Sequence, residues 1–124
     1  MNEYTERIEG HPILSLSSAL RRFAAERDWE QFHSPKNLAI AVSVEAGELL
    51  EHFQWLTAEQ SANLSKGDLA KVRLELADVF LYLVSLSDKL GVDLVAAAFE
   101  KLEINGKKYP VELAKSNARK YTEL

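Results

Sequence analysis

Four carboxylates sit inside two of the most apolar stretches of this 124-residue chain, in two pairs of identical spacing. Glu45 and Glu48 lie within Leu-Ala-Ile-Ala-Val-Ser-Val-Glu-Ala-Gly-Glu-Leu-Leu (38–50). Glu75 and Asp78 lie within Leu-Glu-Leu-Ala-Asp-Val-Phe-Leu-Tyr-Leu-Val (74–84). An unpaired carboxylate is costly to take out of water, so four of them in apolar company ask for a cation. All-oxygen donors with no cysteine suit a hard ion, magnesium or manganese.

Helices are needed to bring these groups together. Gly and Pro are scarce, no alternating strand pattern stands out, and apolar residues recur every three or four positions, which predicts an all-α fold. Residues 1–14 read as a flexible N-terminal segment, with Gly10-His11-Pro12 as a boundary signal, and 15–124 as a single helical domain. A first helix is expected from about Ser15 to Arg27, followed by a non-periodic, aromatic connection over 28–33. Ser34-Pro35 starts a second helix expected to reach Trp55 or Leu56. Thr57–Gln60 has capping-box spacing and opens a short helical turn. Ser65 starts a long helix ending near Leu90-Gly91, and Asp93 caps another that Pro110 stops. The tail from Val111 reads as a short helix or ordered arm.

Residues at i and i+3 share a helix face, so each acid pair points one way. If the two long helices pack antiparallel across 57–65, Glu48 and Glu75 each lie roughly 14 Å from the connection at 1.5 Å per residue. Glu45 then faces Asp78 one turn further along, and Gly47 is expected to ease the approach of the two backbones. The alternative reading is a solvated acidic face, common for acid pairs at helical spacing. A buried di-iron bundle fits poorly, because it wants Glu-x-x-His on facing helices. Here His52 follows Glu48 by four and the second acid-bearing helix has no histidine.

Bulk properties narrow the field further. A net charge of −4 with interspersed signs gives no footprint for duplex nucleic acid. No signal peptide or membrane-length apolar run is evident, and the lack of cysteine fits a cytoplasmic protein. The helix over 68–90 is apolar nearly all the way round, which predicts a subunit interface. Trp55, seven after Glu48, and Tyr82, four after Asp78, are expected to continue the acidic faces. Lys101, Asn105 and Lys108 fall on one face of the helix after Asp93, a stripe that could grip phosphate oxygens or simply face solvent.

Glu45-x-x-Glu48 followed by Glu75-x-x-Asp78 resembles the metal motif of the MazG-like, all-α nucleoside triphosphate pyrophosphohydrolases. Phe-Ala-Ala-Glu-Arg-Asp-Trp-Glu-Gln-Phe-His (23–33) and Glu51-His52-Phe53-Gln54-Trp55 bring the resemblance nearer to the dCTP pyrophosphatase branch. Asp78-Val79-x-x-Tyr82, Val92-Asp93-Leu94, Ile104-Asn105-x-x-x-Tyr109-Pro110 and Lys120-Tyr121-Thr122-Glu123-Leu124 extend it over roughly 20–124.

The resemblance implies a four-helix-bundle-like fold, assembled as a homo-oligomer, usually a tetramer. It implies magnesium-dependent cleavage of a nucleoside triphosphate, dCTP or a 5-modified dCTP, to the monophosphate and pyrophosphate. Glu45, Glu48, Glu75 and Asp78 would hold the metal, which manganese could replace. A glutamate, Glu48 foremost with Glu45 beside it, or the metal itself, would prepare the attacking water. Trp29, Glu30, Gln31, Phe32, His33, Trp55 and Tyr82 would line the base and sugar pocket. Lys101, Asn105 and Lys108 match the phosphate-gripping stripe. In one departure, Leu20 stands where the animal dCTP enzymes carry a pocket-facing histidine, which bears on base preference. Outside this family, the same acids would fit a non-catalytic nucleotide- or metal-binding module or a protein-interaction module.

Overall fold

Ser34, Thr57, Ser65 and Asp93 each accept a hydrogen bond from the backbone N–H three residues on, at 3.0–3.1 Å. These four caps set where four helices begin, because each satisfies an N–H the helix itself leaves unpaired. The computed structural model describes residues 11–124, all of them helical or irregular, with no strand. In chain order the helices are α1 (Pro12–Glu26), α2 (Pro35–Glu51), α3 (Ala58–Ala62), α4 (Lys66–Leu90), α5 (Leu94–Lys108) and α6 (Val111–Ala114). Single 3-10 turns cover Glu30–Phe32 and Tyr121–Glu123.

Of the expected flexible segment over 1–14, residues 1–10 lie outside the described residues, and residues 12–14 form the first turn of α1. α1 starts three residues earlier than expected, because Pro12 has no N–H to lose at the first helical position. α2 stops at Glu51 rather than Trp55. The reason is the capping box downstream: Thr57 accepts from Gln60 N–H and donates its own N–H to the Gln60 side chain. That box needs extended backbone at Thr57 (ψ 164°), so the chain leaves the helix over 52–56 through tightening turns. Gly91, at φ 66°, closes α4 in the left-handed conformation that glycine adopts without strain.

Two compact units result, one reaching Gly91 and one spanning Val92–Leu124. In the first, α2 packs along α4 and α1 packs on α4. The α2–α4 pair is antiparallel: Leu38 lies near Ser85 and Asp88, whereas His52 lies near Glu75. Leu38 and Val84 are the largest fully buried side chains, joined by Val72, Ala19 and Ala24. This core is thin, and much of the apolar surface of α4 stays exposed. In the second unit, Tyr121 packs edge-on to Tyr109 with ring centroids 6.0 Å apart, and the Lys108 ammonium sits 4.7 Å from the Tyr121 centroid. The C-terminal turn is thereby folded back on the end of α5. Among the described residues, no helix is long and apolar enough to cross a membrane.

Candidate metal centre

The antiparallel pairing of α2 and α4 brings Glu45, Glu48 and Glu75 together, one carboxylate oxygen of each lying within 4.8 Å of the others. Glu45 and Glu75 are half-buried and Glu48 is exposed at the mouth. Asp78, one turn beyond Glu75, is exposed and outside that trio, yet its charge acts on Glu45. On the other side, His52 Nε2 approaches Glu75 Oε1 at 3.8 Å.

Like charges this close cannot all be ionised cheaply. Burial, a hydrogen bond with Glu48, and the charges of Glu48, Asp78 and Glu75 push Glu45 up to about 7. Glu45 Oε2 and Glu75 Oε2 are buried with no hydrogen-bond partner. Buried oxygens are rarely left so, because the lost hydration is not returned. Two orphaned oxygens, a third carboxylate alongside and an all-oxygen donor set fit a hard divalent cation. Gly47 plays no part in the approach of the helices: a Cβ there would meet nothing within 4 Å. Two residues past Glu45, it lies about 200° round the helix, away from the acids.

The aromatic connection is braced by polar bonds rather than by a periodic face. Asp28 takes φ 53°, an αL conformation that aspartate tolerates, and turns the chain out of α1. Gln31 Nε2 then donates to the Asp28 carbonyl and carboxylate at 3.0 and 3.1 Å. Asn37 Nδ2, from the first turn of α2, donates to the Phe32 carbonyl at 2.9 Å. Trp29 meets Phe23 and His33 edge-on, with centroids 5.8 and 6.4 Å away. Glu30 and His33 border a cavity of about 110 Å³ with Leu20, Leu38 and Ser85, while Phe32 is largely exposed.

The remaining expected site residues fall differently. Tyr82, half-buried, stays on the Glu75–Asp78 face because α4 is unbroken there. The seven-residue spacing from Glu48 does not place Trp55 on the Glu48 face. α2 has already ended, and the residue is 86% exposed. Lys101, exposed, and Asn105 and Lys108, half-buried, share one face of α5 in the second unit. The sequence reading missed Arg21 and Asp88, whose side chains pair through two hydrogen bonds between α1 and α4. No local signal pointed to the pair, since α4 carries several other charged residues, among them Lys71, Arg73, Glu75, Asp78 and Lys89.

A family model described as the MazG-like family matches residues 40–124. The chain is 50% identical over 104 residues to human dCTP pyrophosphatase 1, covering 82% of this chain and 61% of that protein. The Bos taurus protein of the same name is 46% identical over 104 residues, covering 82% and 62%. This chain thus spans about three-fifths of the length of those relatives. Among solved structures, a pyrophosphatase from Archaeoglobus fulgidus superposes with a TM-score of 0.77 at 36% identity, covering 86% of this chain and 99% of that one. The all-helical architecture, the family match and the extent of these identities together make this chain a member of the MazG-like family.

Proposed function

We propose that the protein is a magnesium-dependent nucleoside triphosphate pyrophosphohydrolase that cleaves dCTP or a 5-modified dCTP to the monophosphate and pyrophosphate. The observation that carries this reading is the convergence of Glu45, Glu48 and Glu75 around two partnerless buried oxygens. The names of the relatives, dCTP pyrophosphatase and pyrophosphatase, supply the reaction class.

Glu45, Glu48, Glu75 and Asp78 are the proposed metal ligands, with magnesium the expected ion and manganese its substitute. Bound there, the ion offsets phosphate charge and makes water more acidic. Glu48, open to solvent, is the proposed base that takes a proton from the attacking water, with Glu45 beside it as the alternative. The water oxygen forms a bond to phosphorus, the bridging P–O bond between the α and β phosphates breaks, and the bridge oxygen leaves on one product. Trp29, Glu30, Gln31, Phe32, His33, Trp55 and Tyr82 are proposed to hold base and sugar, and Lys101, Asn105 and Lys108 the phosphates. Residues 15–124 are taken to work as one catalytic domain, in a cytoplasmic homo-oligomer. The exposed apolar surface of α4 supports assembly with further copies.

The test is pyrophosphate release from standard and 5-modified nucleoside triphosphates, with and without magnesium. Magnesium-dependent release favouring cytosine is expected. Release favouring another base would keep the chemistry and move the specificity, with Leu20 the first residue to exchange for histidine. No release from any triphosphate would overturn the reading and leave a binding or interaction module.

A further inference from the structure

The cavity bordered by Leu20, Glu30 and His33 lies at one end of the α2–α4 pair. Its floor includes Leu38, seven residues before Glu45, and Ser85, seven residues after Asp78. Seven residues are two helical turns, so on both helices the cavity shares the acids' face and stands about 10 Å from them. That is the reach of a nucleoside between its phosphates and the far edge of its base. The opposite wall is α1, which contributes Ser17, Leu20, Arg21 and Ala24. The shape of this space therefore depends on how α1 is held against α4.

Arg21 and Asp88 line the same cavity and hold α1 to α4 across 67 residues of sequence. Arg21 Nε donates to Asp88 Oδ2 at 2.7 Å, and a terminal guanidinium nitrogen donates to Oδ1, a two-pronged contact between planar groups. The Asp88 side chain is 20% exposed and that of Arg21 64%. An ion pair so open contributes little to stability, but its two parallel bonds fix distance and rotation together. By contrast, the side-chain bonds that brace the 28–37 segment are local, spanning five residues at most. Nothing in that local bracing sets the segment's distance from α4.

We propose that the Arg21–Asp88 pair is a positioning clamp that sets the width of the cavity between α1 and α4 and thereby tunes which nucleobase the site accepts. Neither residue touches the reacting atoms; both act through Leu20, Glu30 and His33. The proposal rests on the pyrophosphohydrolase reading for its selectivity and on the cavity geometry alone for the clamp.

Arg21→Gln, Asp88→Asn and the charge-reversed double variant Arg21→Asp/Asp88→Arg would be compared with the parent chain. Two measurements are made: kinetics on dCTP, dTTP and dUTP with magnesium, and amide exchange of peptides from 12–26 and 35–51. Each single variant should raise KM for the preferred triphosphate at least fivefold with kcat within twofold. It should also flatten the preference between bases and speed exchange in 12–26 but not in 35–51. The reversed pair should recover both properties. Unchanged KM and base ratios, or losses that the reversal does not recover, would overturn the proposal. If the parent chain hydrolyses no triphosphate, the functional reading and the selectivity fall together. The exchange comparison then decides the clamp, with unchanged exchange in 12–26 overturning it.

Discussion

At the scale of single residues the site is under electrostatic load. Glu45 is raised to about 7 from an ordinary glutamate value of 4.5, so without metal the folded protein holds a proton there that the unfolded chain releases. The contribution to stability is greatest below the ordinary glutamate range and falls as pH rises through about 7. A divalent cation held by Glu45 would replace that proton, so its binding would tighten over the same interval. The thermal midpoint of metal-free protein should therefore fall between pH 5 and pH 7.5, and the gain from added magnesium should be larger at pH 8 than at pH 6. Glu45→Gln removes a charge from the cluster without changing its shape. It should raise metal-free stability at pH 8, erase most of this pH dependence, and cut turnover by ~10²-fold or more. A flat metal-free profile in the parent chain would show that the carboxylates repel one another less than their geometry implies. The acid pairs were legible in the sequence because i, i+3 spacing and equal distance from one connection are local arithmetic. The orphaned oxygens and the His52–Glu75 approach were not, since they depend on how two helices are rotated against each other.

Helix starts are the most local decisions in the fold, and four of them are announced by their capping residues. Ser34, Thr57, Ser65 and Asp93 cap the helices they were expected to cap, and Gly91 stops α4. The end of α2 was misread because nothing in His52-Phe53-Gln54-Trp55 opposes helix; the demand comes from Thr57, outside the segment. The Arg21–Asp88 pair was invisible for a related reason, its partners being 67 residues apart with no shared period. Caps of equal chemistry should differ in function according to what they frame. Ser34→Ala and Ser65→Ala should each cost about 1 kcal/mol in chemical denaturation. Ser34 and Asn37 frame the aromatic connection through the first turn of α2, whereas Ser65 starts α4 ten residues before Glu75. Ser34→Ala should accordingly raise KM several-fold, and Ser65→Ala should leave it within twofold. Equal KM for the two variants would separate the 28–33 segment from the substrate.

For the whole molecule, the governing fact is a core too thin for the apolar surface it carries. On α4, Leu69, Leu76, Leu83 and Leu90 recur every seven residues and are each 36–57% exposed. A seven-residue repeat keeps them on one stripe, the spacing by which helices meet other helices. Leu76 follows Glu75 by one position, so this stripe lies about 100° round α4 from the acidic face. Burying four half-exposed leucines is worth several kcal/mol at about 25 cal/mol per Å², a gain a single chain forgoes and a second copy would supply. A partner helix on this stripe would lie alongside the acid cluster and stiffen the helix that carries Glu75 and Asp78. Leu76→Glu puts a charge at the middle of the stripe without touching an acid ligand. By light scattering after size exclusion, the parent chain should elute as an oligomer and Leu76→Glu as a smaller species. Its magnesium-dependent turnover should fall by about tenfold or more, with recovery as protein concentration rises, because mass action restores the assembly. A parent chain that is monomeric and fully active at nanomolar concentration would remove the partner from the argument. The leucine stripe would then stand as exposed surface with no role in the site.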